Sequence, residues 1–214
     1  TKASEGFTSG LSDGKNLTTS GRFLLRQRLG IPGRTLTFSA TYSLGNSTSK
    51  GLNQSLTSSY LDDGSQKDSL INQRYDQKQN NVSLGSTVTY TEPLGNNFYI
   101  EGNYAFTWSR SSSVKDSYDS GFNPDPFTGG QDQYSSDGES LNKAYSNQII
   151  NSSFMHNAGA NLLYQDKKLN AQVGIGVIPT STYNSTTRNG EEKTYSNQVV
   201  NFAPRAMVRY NYSD

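Results

Sequence analysis

The chain has 214 residues, of which 31% are hydrophobic and 17% charged, with a formal net charge of +1. That balance argues against a basic nucleic-acid binder, and together with 14 Tyr and 9 Phe it argues against charge-driven disorder. With no Cys and a single His, a disulfide scaffold, a Cys zinc site, a thiol nucleophile and a His-rich metal site are excluded.

No apolar run reaches the ~18–20 residues of a transmembrane helix. The opening Thr1-Lys2-Ala3-Ser4-Glu5-Gly6 does not read as a signal peptide, so any targeting segment is expected outside this sequence. Gly, Asn, Ser and Thr interrupt every candidate helical window, and period-two alternation is the main signal.

Taken in chain order, the first predicted strand covers residues 22–29. The second has Leu36, Phe38, Ala40, Tyr42 and Leu44 alternating with Thr and Ser. The third has Val82, Leu84, Val88 and Tyr90 alternating with Ser83, Gly85, Thr87 and Thr89. The fourth is the clearest: Phe98, Ile100, Gly102, Tyr104, Phe106 and Trp108 fall on one face, and Tyr99, Glu101, Asn103, Ala105 and Thr107 on the other. Residues 150–164 form the fifth. In the sixth, Leu169, Ala171, Val173, Ile175 and Val177 alternate with Asn170, Gln172, Gly174 and Gly176. Residues 202–212 form the seventh.

Each predicted strand matches the ~9–11 residues that cross a bilayer as a tilted β-strand. Tyr42, Tyr90, Trp108, Tyr164, Tyr210 and Tyr212 stand at strand ends, where aromatic rings favour the membrane–water interface. The opposite face is polar, as a wet barrel lumen requires. Connections alternate between short (residues 30–33, 92–97 and 165–168) and long (residues 45–80, 109–147 and 179–196). That alternation predicts an all-β, antiparallel up-and-down meander, a segment of a transmembrane β-barrel with short turns on one rim and long loops on the other. Within the long segments, Leu61-Asp62-Asp63-Gly64-Ser65 reads as a reversal and residues 122–130 as a Pro/Gly loop.

Three short motifs add a resemblance. They are Arg22-Phe23-Leu24-Leu25-Arg26-Gln27-Arg28-Leu29-Gly30 followed by Pro32-Gly33-Arg34-Thr35-Leu36, then Ile71-Asn72-Gln73-Arg74-Tyr75-Asp76, then Tyr90-Thr91-Glu92-Pro93-Leu94-Gly95. In this order the chain resembles the TonB-dependent-receptor-like outer-membrane β-barrel proteins of Bacteroidota. The resemblance implies a barrel of about 22 strands, within the 8–26 range of such barrels, an N-terminal plug, and binding or import of nutrients at the cell surface. Neither plug nor TonB box is recognisable, the chain ends Asn211-Tyr212-Ser213-Asp214 rather than on a terminal aromatic signal, and seven strands is an odd number. Residues 1–214 are therefore expected to be a single β-barrel segment of a larger barrel, located in the bacterial outer membrane.

Candidates for chemistry are few. His156 shares a face with Phe154, Ala158 and Leu162 and has no assignable Ser/Asp partner, so it is read as structural or interfacial. Asp116, Asp119, Asp125, Asp132 and Asp137 offer oxygens to calcium but lack EF-hand spacing, and are read as a solvated loop. Tyr118, Phe122, Asp125, Phe127 and Tyr134 form a possible ligand-contact loop, set against packing of the loop on itself. Arg22, Arg26, Arg28 and Arg34 flank the first short turn and are read as solvated edge charge. Gly174 and Gly176 lie in a strand with no helix following, which is not a phosphate loop.

The expected function is a share in an outer-membrane barrel that binds surface ligands and takes up nutrients, without enzymatic activity and without a cofactor. Phe38, Tyr42, Val88, Phe98, Ile100, Tyr104, Phe106, Trp108, Val173 and Ile175 are the expected lipid-facing residues. The expected partners are outer-membrane lipid, the remainder of the same barrel, and a TonB-type energy-coupling protein or a surface lipoprotein. The alternative is a soluble β-sandwich adhesin or binding module that recognises glycan or protein through Tyr/Asn-rich loops. The two differ in what covers Phe98, Tyr104, Phe106 and Trp108: lipid, or a second sheet.

Overall fold

The computed structural model describes residues 4–61, 64–121 and 134–212. Among them every regular element is a strand: β1 (Ser4–Arg28), β2 (Thr35–Tyr60), β3 (Gln66–Gly95), β4 (Phe98–Asp119), β5 (Ser140–Leu141), β6 (Asn147–Gln165), β7 (Leu169–Arg188), β8 (Glu191–Phe202) and β9 (Arg205–Tyr210). They form one antiparallel sheet in the order β1-β2-β3-β4-β6-β7-β8, with β5 pairing β4 and β9 pairing β7. The sheet is open, with β1 at one edge and the β8–β9 line at the other.

All seven predicted strands are present, and six of them, β1–β4, β6 and β7, run to 19–30 residues, well beyond the bilayer-crossing lengths read from the sequence, whereas the seventh appears as the 6-residue β9. β3 alone runs 30 residues. The three long connections lie at one rim, as expected, yet much of each is continued strand rather than loop. β2 and β3 stay paired to Tyr60↔Gln66, and β7 and β8 to Arg188↔Glu191. β1 extends back to Ser4 through residues that carry no hydrophobic alternation. Ser, Thr and Asn dominate these upper halves; they pair well across strands but leave no apolar period to read.

Backbone conformation explains the reversals. Asn189 and Gly190 both take positive φ, 55° and 80°, as a two-residue primed hairpin turn requires. At the lower rim Gly95, Asn96 and Asn97 all have positive φ, next to a register shift between Pro93 and Gly95. At the Leu61–Ser65 reversal Leu61 N–H donates to Ser65 O at 2.9 Å; Asp62 and Asp63 lie outside the described residues.

Two prolines mark interruptions that leave the register intact. Pro179 sits where the β6–β7 ladder skips His156 and Asn157, resuming in register at Ala158↔Val177. Pro204 separates β8 from β9, and Ala203 and Gly176 exchange both backbone bonds just above it. Proline has no N–H to give a ladder, so each gap falls at a missing donor.

Among the described residues the sheet has no second layer. Among the described residues no hydrophobic side chain is buried; the buried ones are Ser58, Asn72, Gln73, Ser117, Asn161 and Ser185. A water-soluble domain of this length ordinarily buries its apolar sheet face against another element. Here the apolar face remains open.

Candidate functional site

The register assembles that apolar face strand by strand, because directly paired residues share a side. Leu25, Phe38, Val88, Tyr104, Ala158, Val177 and Phe202 stand in one cross-strand row. All ten residues expected to face lipid lie on this side of the sheet. Val173 and Ile175 are the most open of them, at 57% and 58% exposed.

Charge sorts with the faces. Above the Arg34–Glu92 pair, which stands on the belt side at the lower rim with Glu92 opposite Ile100, the charged residues of the belt interval are Arg22, Arg26, Glu101, Arg205 and Arg209. The register places every one on the opposite side. Arg28 follows on that same side. Arg34 instead pairs at the lower rim, with Nε donating to Glu92 Oε2 at 2.7 Å, and the Tyr90 hydroxyl also donates to Glu92.

The belt is oblique to the strands. On β1 its upper end is Leu17, whose row meets β8 at Thr194. On β8 the belt ends lower, at Val200, and its lower end falls correspondingly toward Tyr210 on β9. The offset is about one residue per strand, the kind of stagger that tilted strands impose. At ~3.4 Å per residue and ~4.8 Å between strands, that corresponds to a tilt of about 35°, at the edge of the range for membrane barrels. On β4 the belt covers residues 98–108, about 34 Å along the strand and about 28 Å after tilt, close to a bilayer's ~25–30 Å hydrocarbon thickness.

The polar face is the more crowded one. Asn161 there is only 4% exposed and its Nδ2 donates to Glu101 Oε1 at 3.0 Å. The Oδ1 atoms of Asn103 and Asn157 are buried without a hydrogen-bond partner. Glycine makes this crowding possible: a Cβ on Gly174 would sit 2.1 Å from Asn161 Oδ1 and 2.7 Å from the Ala160 carbonyl.

Above the belt, segment 134–146 folds back onto β3 and β4. Arg74 is its anchor. The guanidinium donates to Glu139 through Nε at 3.2 Å and Nη2 at 2.8 Å, to Asp76 at 2.5 Å, and lies 4.4 Å from the centre of the Tyr118 ring. The Tyr134 hydroxyl donates to Glu139 at 2.5 Å. Arg74 and then Tyr134 hold the Glu139 carboxyl below its ordinary range. Burial first, and the bond to Glu139 second, push the Tyr134 phenol up to about 12. Tyr118 and Tyr134, two of the expected ligand-contact residues, thus meet around one arginine. Phe122, Asp125 and Phe127 lie outside the described residues.

Asp119, named above as a calcium candidate, instead accepts from Gln73 at 2.7 Å and from Asn142 at 2.7 Å. Asp125 and Asp132 lie outside the described residues, and among those described no cluster of three metal-ligating side chains occurs. His156 accepts or donates one bond at Nδ1 with the Tyr104 hydroxyl at 2.7 Å, and its ring lies 5.1 Å from that of Phe106. Sequence reasoning missed the Arg74–Glu139 pair, which joins residues 65 positions apart; no local spacing signals such a contact.

No family model and no curated protein matches the sequence. Among solved structures, the chain is similar to the crystal structure of the ferric citrate transporter FecA in the unliganded form, with 13% identity and a TM-score of 0.44. The alignment covers 86% of this chain and 26% of that one, so the chain spans about a quarter of that protein's length.

Proposed function

We propose that this sheet is a section of the wall of an outer-membrane β-barrel of the TonB-dependent-receptor type, serving surface ligand binding and nutrient uptake. The observation that carries the reading is the belt: continuous across all seven strand lines, charged on its own side only at the lower rim where Arg34 pairs with Glu92, and tilted as a bilayer-crossing sheet must be. The remaining strands of the same barrel would join at the β1 and β8–β9 edges, because exposed edges of this length otherwise invite aggregation. The extended upper hairpins would face outside and select ligand. Energy coupling, through a TonB-type protein or with the help of a surface lipoprotein, would come from parts beyond this sheet.

The experiment places Ile100→Arg and Phe106→Arg in the whole protein and follows its insertion into the outer membrane. Both variants are expected to insert poorly, in the range of up to about 2–4 kcal/mol for a charge inside the hydrocarbon layer. Normal insertion of both would overturn the lipid-facing assignment.

A further inference from the structure

At its lower end the polar face carries unbalanced charge. Its strands hold Arg22, Arg26, Arg28, Arg205 and Arg209 there against one carboxylate among the described residues, Glu101. Glu101 accepts from Asn161 Nδ2 at 3.0 Å. The register sets it three strand spacings from Arg28 on one side and three from Arg205 on the other. At ~4.8 Å per spacing that is about 14 Å, beyond the ~8 Å over which physiological salt screens exposed charges. All five arginines are exposed, and none makes an ion pair among the described residues. The belt side arranges its charge differently. There Arg34 pairs with Glu92, and Arg74 with Asp76 and Glu139.

Each arginine of β1 has a hydroxyl beside it. Arg22 stands opposite Thr41, Arg26 opposite Thr37 and Arg28 opposite Thr35. A guanidinium next to a hydroxyl offers one oxyanion a planar fork and a neutral donor. Arg26 and Arg28 lie ~7 Å apart along the strand, so adjacent cradles suit a ligand with more than one anionic group. Higher on the same face the charge disappears: Ser20, Ser43, Ser83, Ser109, Ser153 and Thr182 form one row. Such a row is enough to wet a wall. The arginines below it repel one another, and a bound anion relieves that repulsion.

We infer that this arginine ladder binds a small polyanion inside the barrel, through two or more carboxylate or phosphate groups held by Arg22, Arg26 and Arg28 with their threonines. The inference rests on the barrel-wall reading, which turns this face to the lumen, and adds the chemical class of the ligand.

The test places Ser39→Cys in the whole protein in outer-membrane vesicles. Ser39 is opposite Leu24 and diagonal to both Arg22 and Arg26. Its thiol is labelled with methanethiosulfonates bearing a sulfonate or a trimethylammonium group, each rate taken relative to that with a simple thiol. The anionic reagent should be favoured about sevenfold, the effect of a local potential of about 1 kT acting oppositely on the two reagents. Rising salt should erode the preference, and Arg22→Gln with Arg26→Gln should abolish it. At matched ionic strength, tripolyphosphate should slow labelling by a neutral reagent where sucrose does not, and only while both arginines are present. Val88→Cys, on the belt side, serves as control and should stay unlabelled. Equal relative rates at Ser39→Cys, no protection by tripolyphosphate, or a thiol shielded from every reagent would overturn the polyanion site, and with Val88→Cys silent the wall reading would stand. Fast labelling of Val88→Cys by both charged reagents would instead overturn the wall reading itself.

Discussion

Val173 and Gln172 are chain neighbours on opposite faces of β7, so the proposed barrel wall would set them in two different solvents within one peptide bond. Val173 is 57% exposed on the belt side, whereas Gln172 is half-buried on the polar side. On β7 the belt runs from Leu169 to Pro179, so Val173 stands about 14 Å along the strand from the lower end. With a tilt of about 35° that is ~11 Å of depth, near the middle of a barrel's ~25 Å apolar band. Val173→Arg should therefore cost about 2–4 kcal/mol of folding free energy in lipid. Gln172→Arg, facing a wet lumen, should cost less than about 1 kcal/mol. If the belt met water instead, an arginine at so open a site would change stability by only about 0.5 kcal/mol. Denaturant-dependent folding of the whole protein into phospholipid vesicles measures the difference. Equal stabilities for the two variants would refute the assignment of faces.

Other consequences can be measured separately. Arg74→Gln should release segment 134–146 from β3 and β4, seen as faster amide exchange there, at a local cost of about 1 kcal/mol for a partly exposed bidentate pair. Because the Glu139 carboxyl is held below its ordinary range, its contribution is complete above the unfolded-state value of about 4.3. That contribution is lost as pH falls through the lower folded value, so exchange in the segment should accelerate only below about pH 4. The Tyr134 phenol, pushed up to about 12, stabilises the segment fully below the unfolded value of about 10 and loses that effect as pH rises through the folded one. Tyr134→Phe should remove the last phenolate step from an absorbance titration. Gly174→Ala should destabilise the sheet by about 1–3 kcal/mol, because its Cβ meets a backbone carbonyl as well as Asn161; Gly102→Ala, with open space around it, should be close to neutral by the same denaturation assay.

Much of the belt was legible in the sequence because strict alternation at positions such as Phe98, Ile100 and Tyr104 carries its own face assignment. The tilt was not, since it appears only when Leu17 on β1 and Val200 on β8 are compared through the intervening pairings. The upper hairpins were read as loops because runs such as Ser47-Thr48-Ser49 give no apolar period, though they continue β2 without a break. The seventh predicted strand, residues 202–212, takes in β9 and only Phe202 of β8, since residues 191–201 carry no clear apolar alternation while Pro204 breaks the ladder without breaking the alternation around it. The Arg74 cluster depends on a reversal in the chain between β4 and β5, and neither Tyr118 nor Tyr134 announces its arginine. Their identification as aromatic contact residues came from composition; what they contact came from the fold.

The central claim is that the belt of this sheet faces lipid. The chain has no native Cys, so single cysteines can be placed through residues 98–108 of β4 and spin-labelled in the whole protein in a bilayer. Collision with dissolved oxygen and with a water-soluble relaxant then reports the surroundings of each label. The account predicts strong oxygen access at Phe98, Ile100, Tyr104 and Phe106, and access by the water-soluble agent at Tyr99, Glu101 and Asn103. Labels at the first group shielded from both agents would place a packed protein layer over the belt and contradict the account.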